Sequence, residues 1–364
     1  MRAPQELLDQ PVERAARVVA LGLLDDAEAA RKRLDDDDDR EAVHDFRVAV
    51  RRLRSWLRAF DPWVSDSVPR KPWRRLRKSA RLTGRSRDAE VHLDWLKSQR
   101  RELSSRQRVG LGWLSARIEG EKAAADQTLV SDATRAFDRA HRRLRETLGM
   151  YRAYVDLNGN DATRTFADVL ATLVRDQAAV LARRLRKVKG VEDQERLHAA
   201  RIAAKRLRYL LEPVAERVTS GEALVADLAA LQDTFGDWHD GRVFAATIVE
   251  ASEEAAAEEA HRVSEAVMGG DAPAEAIRAE RDKDVTLGLL ALAGRLQERV
   301  ASAYADAESR WLHAGEAFEA RVEELATQLA AQNGDLSAAP KERVVTQLGL
   351  EHHSVEGDAG DVHA

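Results

Sequence analysis

The chain of 364 residues is 44% hydrophobic and 33% charged, and it contains 20 Gly, 8 Pro and no Cys. That length suits one large domain or two ordinary ones, with enough apolar residues to bury a core. The absence of cysteine excludes disulfides and thiolate chemistry, and the scarcity of Gly and Pro disfavours folds rich in strands. No apolar run approaches the roughly 18 residues that span a bilayer, and the start MRAPQELLDQ lacks the apolar stretch of a signal peptide. We therefore expect a cytoplasmic protein without a membrane partner.

Helical periodicity runs through most of the chain and predicts an all-α fold of about ten helices. Apolar stripes mark two long helices, over Glu13–Leu34 and Phe166–Val188. Glycines are expected to end helices at Gly84 and Gly236, with new helices opening at Asp88 and Asp240. Further breaks are expected at Asp35–Asp39, Asp61–Pro62, Pro69–Pro72, Asn158–Gly159, Gly190, Pro213, Ser220–Gly221 and Gly269–Pro273. Sparse apolar residues and several glycines predict a flexible tail over residues 333–364.

Charge is distributed unevenly along the chain. Residues 40–208 carry a net charge of +19, whereas residues 209–364 carry −19 and residues 1–39 carry −5. A region as basic as 40–208 attracts polyanions. The alternative is a set of solvated helix faces joined by ion pairs, so the placement of the cations decides between the two.

An internal repeat is the most specific feature of the sequence. With a shift of 154 residues, HDFRVAVRRLR at 44–54 falls on HAARIAAKRLR at 198–208. The two long helices superimpose at the same shift, and a shift of 152 places Thr83–Asp88 on Phe235–Asp240. The repeats would cover about 11–158 and about 162–330, within one domain over 11–330. Two such units predict a pair of helical bundles related by a pseudo-twofold axis.

In each copy, cationic side chains share one face of the helix. This cationic stripe consists of His44, Arg47, Arg51, Arg54 and Arg58 in the first copy, and of His198, Arg201, Lys205 and Arg208 in the second, where Glu212 replaces Arg58. Like charges at this spacing cost a helix roughly 0.2–0.5 kcal/mol per pair, so a bound anion best explains why the pattern occurs twice. Asp45 is the only acid in residues 43–60, which disfavours a face neutralised by local ion pairs.

A second stripe follows on the next predicted helix. It consists of Arg74, Arg77, Lys78, Arg81 and Arg85, and the positions that match these in the second copy hold only Ala and Asp. The charge is therefore expected to be asymmetric between the two halves.

Patterns typical of catalytic and metal sites are missing from the sequence. There is no P-loop, nucleophile elbow, HExxH motif or dinucleotide fingerprint. Neither His44 nor His198 has a second metal ligand in its own stripe, and Asp88 and Asp240 are better explained as N-caps than as metal ligands or general bases. The seven tryptophans follow no stacking interval, which favours packing over base stacking. We predict no catalytic residue, no metal and no cofactor.

The duplicated pattern H-x-x-R-x-x-x-[RK]-R-x-R resembles the CHAD family, the conserved histidine α-helical domain. The resemblance implies two four-helix bundles around a basic central cavity, and binding of inorganic polyphosphate without turnover. Carried over residue by residue, it implies a site made of His44, Arg47, Arg51, Arg52 and Arg54 together with His198, Arg201, Lys205, Arg206 and Arg208. One departure is His239, which stands where the first copy has Arg87, and the E-x-E-x-K strand of a triphosphate-processing domain is missing.

The residues and the resemblance together predict a polyphosphate-binding protein of the cytoplasm, where polyphosphate granules are one place to bind. Arginine forks onto phosphate oxygens and lysine supplies a point charge. The predicted contacts also include Arg58, Arg74, Arg77, Lys78 and Arg81. Nucleic-acid binding is one alternative, disfavoured because there is no stacking platform and no helix-turn-helix pattern. A phosphohydrolase is the other, and it would need metal-binding carboxylates on the basic face. A purely structural scaffold leaves the two stripes unexplained.

Overall fold

The computed structural model describes residues 7–36, 39, 41–150, 164–270, 273–274 and 285–332, without the side chains of 84–88, 124–129 and 332. The helices of this part are α1 (Val12–Arg33), α2 (Ala42–Ala59), the short α3 (Asp61–Val64), α4 (Arg70–Gln99), α5 (Gln107–Gly149), α6 (Phe166–Leu185), α7 (Gln194–Leu211), α8 (Gly221–Met268), α9 (Val285–Ala307) and α10 (Gly315–Gln332). Within these ranges the only β-type pairing is one isolated bridge, between Pro11 and Thr165. The predicted all-α fold is confirmed. The predicted tail over 333–364 and the expected boundary between the repeats lie outside the described residues.

None of the described helices is both long and apolar enough to cross a membrane. Each helix instead buries one face against its neighbours, as its amphipathic sequence requires. In the first part of the chain, α1 packs on α2 and α5, α2 on α4, and α4 on α5. In the second part, α6 packs on α7 and α10, α7 on α8, and α8 on α9. The helices α2 and α7 also contact each other, and this contact joins the two parts.

Aromatic side chains fix which face of α2 is buried. Trp56 is buried and its indole Nε1 donates a hydrogen bond to the carbonyl oxygen of Ala16 on α1, 3.0 Å away. Phe46, also buried on α2, meets Phe137 of α5 edge to face, with ring centroids 5.1 Å apart. These anchors hold the apolar face of α2 on α1 and α5, so its arginines are left on the other side.

A second core cluster extends the long helices beyond the main core. The ends of α4 and α5 pack there against α8 and α9 around Leu96, Phe244 and Leu292. Helices α5 and α9 cross at a pair of glycines: a Cβ added to Gly288 would lie 2.7 Å from the Cα of Gly110. Only glycine permits so close an approach of two helix backbones.

The predicted helix ends at Gly84 and Gly236 are wrong. Helix α4 continues through Gly84 and α8 continues through Gly236, so Asp88 and Asp240 lie inside helices instead of capping them. A glycine inside a helix costs only about 1 kcal/mol relative to alanine, which packing can offset. At Gly236 the missing side chain also makes room for a neighbour, because an added Cβ would lie 3.3 Å from Nη2 of Arg201.

Candidate functional site

A basic cleft of 560 Å³ lies between α2 and α4, and we call it the α4 cleft. Its lining consists of Arg47, Arg51 and Arg54 from α2 and of Arg74, Arg77, Lys78, Ala80 and Arg81 from α4. No acidic side chain is among these residues. The structure therefore brings three members of the first stripe together with four members of the second, as far as the side chains are described.

Burial of the opposite face explains why α2 presents its arginines to this cleft. Val50, Leu53 and Leu57 are buried in the main core. Residues three and four apart lie on the same face of a helix. The side chains at positions 47, 51 and 54 therefore share one face, beside the buried one. Those three arginines are half-buried, whereas Arg74, Arg77 and Arg81 on α4 are exposed. The inner wall is thus more desolvated than the outer one.

Arg54 of the α4 cleft is partly buried among other cations. Its Nε atom is buried and has no hydrogen-bond partner within the described part of the chain. Burial lowers the pKa of its guanidinium, and the positive charges of Arg77, Arg58 and Arg51 lower that pKa further. An anion held here would supply both an acceptor for Nε and a charge that offsets the repulsion.

Lys205, a member of the second stripe, lies close enough to the first stripe for the charges of the two to interact. Burial lowers the pKa of its ammonium to about 6, and repulsion from Arg51, Arg201, Arg208 and Arg47 contributes to the shift. Two of those arginines belong to α2 and two to α7, so the predicted stripes act on one another electrostatically. A lysine in such surroundings gains most from a nearby anion, which would stabilise its charged form.

A second cleft, of 500 Å³, lies between α2, α4, α6 and α7, and we call it the α6 cleft. Its cations are Arg51, Arg54 and Arg58 from α2 and Lys205 and Arg206 from α7. Arg51 and Arg54 line both clefts, so the two are adjacent. Partial burial and repulsion from Arg58 lower the pKa of Arg206. Across α2, α4 and α7, predicted site residues therefore line one continuous basic surface.

Arg201 is held in place from α8. Its Nε donates a hydrogen bond to the carbonyl oxygen of Gln232, 3.4 Å away, and its guanidinium lies against Gly236. Burial lowers the pKa of Arg201, an effect that the negative charge of Asp240 opposes. Arg201 does not line the α4 or the α6 cleft, although its charge acts on Lys205.

Arg52 and Arg208 meet a carboxylate instead of lining a cleft. Nε of Arg52 lies 2.9 Å from Oε2 of Glu212, and Nε of Arg208 lies 3.2 Å from Oε1 of the same residue. Both guanidinium groups also lie over the ring of Tyr209, 5.9 and 5.1 Å from its centroid. Glu212 therefore neutralises part of the positive charge of Arg52 and Arg208, which the sequence predicts to bind the ligand.

The two motif histidines stand apart from the clefts. His44 lies on α2 one turn before Arg47, and neither it nor His198 lines the α4 or the α6 cleft. The ring of His198 lies 4.8 Å from that of His239, and its buried Nδ1 has no hydrogen-bond partner in the described part. Burial and the neighbouring His239 lower the pKa of His198. Nowhere among the described residues do three His, Asp or Glu side chains group in a way that could hold a metal ion.

Sequence reasoning missed part of the basic surface. A third cleft, of 470 Å³, contains Arg75, Arg135 and Arg139, and it shares Lys78 with the α4 cleft. The spacing of Arg135 and Arg139 in α5 is a recognisable signal, but nothing in the sequence places α5 beside α4. This cleft is less purely basic, because Asp132 lines it and pairs with Lys78 at 3.5 Å.

A family model described as the CHAD domain matches residues 19–249, which is more than half of the chain. The chain belongs to the CHAD family. The matched stretch contains all of α2, α4, α6 and α7, and therefore every residue of the α4 and α6 clefts.

The fold agrees with this assignment. The crystal structure of the CHAD domain from the plant Ricinus communis is similar, with a TM-score of 0.57 and 20% sequence identity. The likeness covers 88% of this chain and 96% of that one. At such low identity it supports the CHAD fold and nothing about ligands. No curated protein matches the chain.

Proposed function

We propose that this CHAD domain binds inorganic polyphosphate along the basic surface formed by the α4 and α6 clefts. One observation carries the proposal: among the described side chains, seven cations and no acid line the α4 cleft. A chain with about one negative charge per phosphate neutralises such a lining, and arginine forks match phosphate oxygens. The buried Nε of Arg54 has no partner in the described part, and a phosphate oxygen would satisfy this donor once the guanidinium turns toward the cleft.

The motif helices α2 and α7 act as corresponding halves of one site in this proposal. Each spans 18 residues, and together they contribute cations to the α6 cleft. The repulsion of Lys205 by Arg47 and Arg51 supports one site that uses cations of both helices. The internal repeat, the pseudo-twofold axis and a basic cavity at that axis are the simplest arrangement that accounts for these features. Arg52 and Arg208 would join the site when Glu212 releases them.

The proposed activity is binding without turnover. Hydrolysis of a phosphoanhydride usually needs a metal ion or a positioned base to activate water. Of the side chains that the structure describes, Asp176 is the one acid that lines the α6 cleft, and no acid lines the α4 cleft. A phosphate-binding lining without such groups favours retention of the chain. The function suits the cytoplasmic location, including polyphosphate granules, that the sequence predicts.

A titration tests the proposal and separates it from its alternatives. The purified protein is titrated with long-chain polyphosphate, and with single- and double-stranded DNA of equal charge, at two salt concentrations. We expect polyphosphate to bind most tightly, with a logarithmic salt slope of about 0.7 per phosphate contact if the single-strand value applies. Equal affinity for DNA would favour the nucleic-acid alternative. Release of orthophosphate that tracks the pure protein would make it a hydrolase.

A further inference from the structure

The α6 cleft has an apolar wall that polyphosphate does not explain. Trp73 of α4, Leu173 of α6, and Ile202 and Leu210 of α7 line it together with the cations. An inorganic phosphate chain has no apolar surface to place against these side chains, whereas the α4 cleft next to it is lined almost wholly by cations. The volume of 500 Å³ is in the usual range for small organic ligands. The cleft is therefore built for a ligand with an apolar part and an anionic part.

A buried acceptor lies in the same wall. Oε1 of Gln177, one turn after Leu173 on α6, is inaccessible to solvent and accepts no hydrogen bond in the described part of the chain. Leaving such an acceptor unsatisfied is costly, so buried carbonyl groups nearly always find a donor. The Gln177 amide would have to rotate toward the cleft to accept a hydrogen bond from a ligand that presents an N–H group beside the apolar wall.

We propose that the α6 cleft binds a nucleoside polyphosphate. Its base lies against Trp73 and Leu173, its exocyclic amine donates a hydrogen bond to Oε1 of Gln177, and its phosphates contact Arg51 and Arg54. This inference rests on the proposed function in one respect, because both ligands use the cations at the junction of the two clefts. Nucleotide and polyphosphate should therefore compete.

One cation of the cleft lies directly beside the apolar side chains. The guanidinium carbon of Arg54 lies over the Trp73 ring, 5.8 Å from its centroid. A base in contact with the Trp73 side chain would therefore lie close to a phosphate bound to Arg54. Base–aromatic contact and a hydrogen bond to an amine supply selectivity that charge alone does not.

Three ligands of similar charge test this with the unchanged protein. ATP, tripolyphosphate and ITP are titrated separately by calorimetry at fixed ionic strength without divalent cations. ATP carries no more charge than tripolyphosphate, so we attribute any preference for ATP to its nucleoside. We expect ATP to bind about fivefold to a hundredfold more tightly than tripolyphosphate, from the usual strength of base stacking. ITP, with a carbonyl in place of the amine, should bind about tenfold more weakly than ATP. Equal affinity for ATP and tripolyphosphate would overturn the proposal.

Variants of the apolar wall of the α6 cleft test whether it causes the preference for ATP. Trp73→Ala should remove the preference for ATP over tripolyphosphate, and Gln177→Leu should remove the preference for ATP over ITP. Trp113→Ala is the matched control, because Trp113 packs in the second core cluster, away from both clefts. Preferences that persist in both wall variants would overturn the site, and the ligand comparison above stands even if Trp73→Ala fails to fold.

Two further measurements separate this inference from the proposed function. ATP should displace a labelled long polyphosphate from the unchanged protein, and simultaneous binding of the two would overturn the shared site. If polyphosphate binds but ATP shows no advantage over tripolyphosphate, only the nucleotide site fails. If neither binds, the proposed function fails as well. A 5′-phosphorylated decanucleotide that binds more tightly than a polyphosphate chain of equal charge would replace the nucleotide with nucleic acid as the ligand.

Discussion

Arg52 of α2 and Glu212, directly after α7, form an ion pair that joins the two motif helices, with Nε and Oε2 2.9 Å apart. The side chains are 40% and 22% exposed, so the pair lies at the boundary between protein and solvent. The same carboxylate holds Arg208. Glu212 therefore acts as an internal anion, and an external polyanion has to compete with it for two of the predicted ligands.

Removing that carboxylate should strengthen polyphosphate binding. We expect Glu212→Gln to raise the affinity about two- to tenfold at low salt, because Arg52 and Arg208 become available to phosphate. Loss of a partly exposed ion pair should lower the free energy of unfolding by about 1 kcal/mol. Glu119→Gln removes the same charge at an exposed site on α5 and is the control. Titration calorimetry and thermal unfolding measure both effects. An affinity that matches the control would show that Arg52 and Arg208 are outside the site.

Both motif helices should contribute to binding one long chain. We expect Arg47→Ala with Arg51→Ala, and separately Arg201→Ala with Lys205→Ala, to weaken long-chain polyphosphate binding by about tenfold or more. Each pair should leave the fold intact, because the repulsion that it removes offsets the loss of the hydrogen bond from Arg201 to Gln232. Short chains that reach only one helix should be less affected.

Exposed arginines at the end of α4 provide the control for these double variants. Arg100→Ala with Arg101→Ala removes the same charge away from the clefts, and should reduce the affinity much less. If each motif double variant halves the stoichiometry and leaves the remaining affinity unchanged, the two helices bind independently and the shared site is wrong.

Binding should be coupled to protonation of Lys205. Its pKa is lowered from 10.5 to about 6, so the free protein holds it neutral at pH 7 to 8. A polyanion favours the charged form, so we expect proton uptake on binding and an affinity that falls as pH rises above about 6. Calorimetry in two buffers of different ionisation enthalpy measures the uptake. Lys205→Met should remove most of it, and an unchanged uptake would assign the proton elsewhere, with His198 the first candidate.

The same lysine should affect stability in the absence of ligand. Between pH 6 and 10.5 the unfolded chain holds a proton that the folded protein lacks, so this group makes the free energy of unfolding rise with pH in that window. Lys205→Met should therefore raise the melting temperature most below pH 6, where the folded protein has to carry the buried charge. A variant that is less stable than the parent at pH 5.5 would contradict the lowered pKa.

The glycine crossing of α5 and α9 should be sensitive to a single methyl group. A Cβ on Gly288 would lie 2.3 Å from the carbonyl oxygen of Gln107, so Gly288→Ala has to push the helices apart. We expect a loss of about 1–3 kcal/mol in the free energy of unfolding. Gly294→Ala on the same helix meets open space and should instead stabilise by up to about 1 kcal/mol. Denaturant unfolding compares the two, and equal stability would show that the crossing tolerates a side chain.

Much of the secondary structure could be predicted because it depends on local spacing. The expected helices over Glu13–Leu34 and Phe166–Val188 correspond to α1 and α6, with ends that differ by at most three residues. The arginine face of α2 was predictable in the same way, since helical periodicity alone places Arg47, Arg51 and Arg54 together. The CHAD family could also be recognised from the two motif helices, and the internal repeat remains a prediction.

Prediction was wrong where a packing contact outweighed a local preference. Gly236 was expected to end a helix, yet α8 passes through it and uses the space for the guanidinium of Arg201. Nothing near residue 236 in the sequence reveals that Arg201 lies beside it, because the two residues are brought together by the packing of α7 on α8.

The sequence by itself determined that this chain is helical, that its cations form stripes, and that a polyanion suits them. Only the tertiary structure decided which of those cations act together. Arg51 and Lys205 lie far apart in the chain, and their repulsion exists because α2 and α7 meet beside the α6 cleft. Glu212 was visible as an acid but not as the partner of Arg52. Charge interactions depend on distance and burial, and for groups on different helices both are set by packing rather than by spacing along one helix.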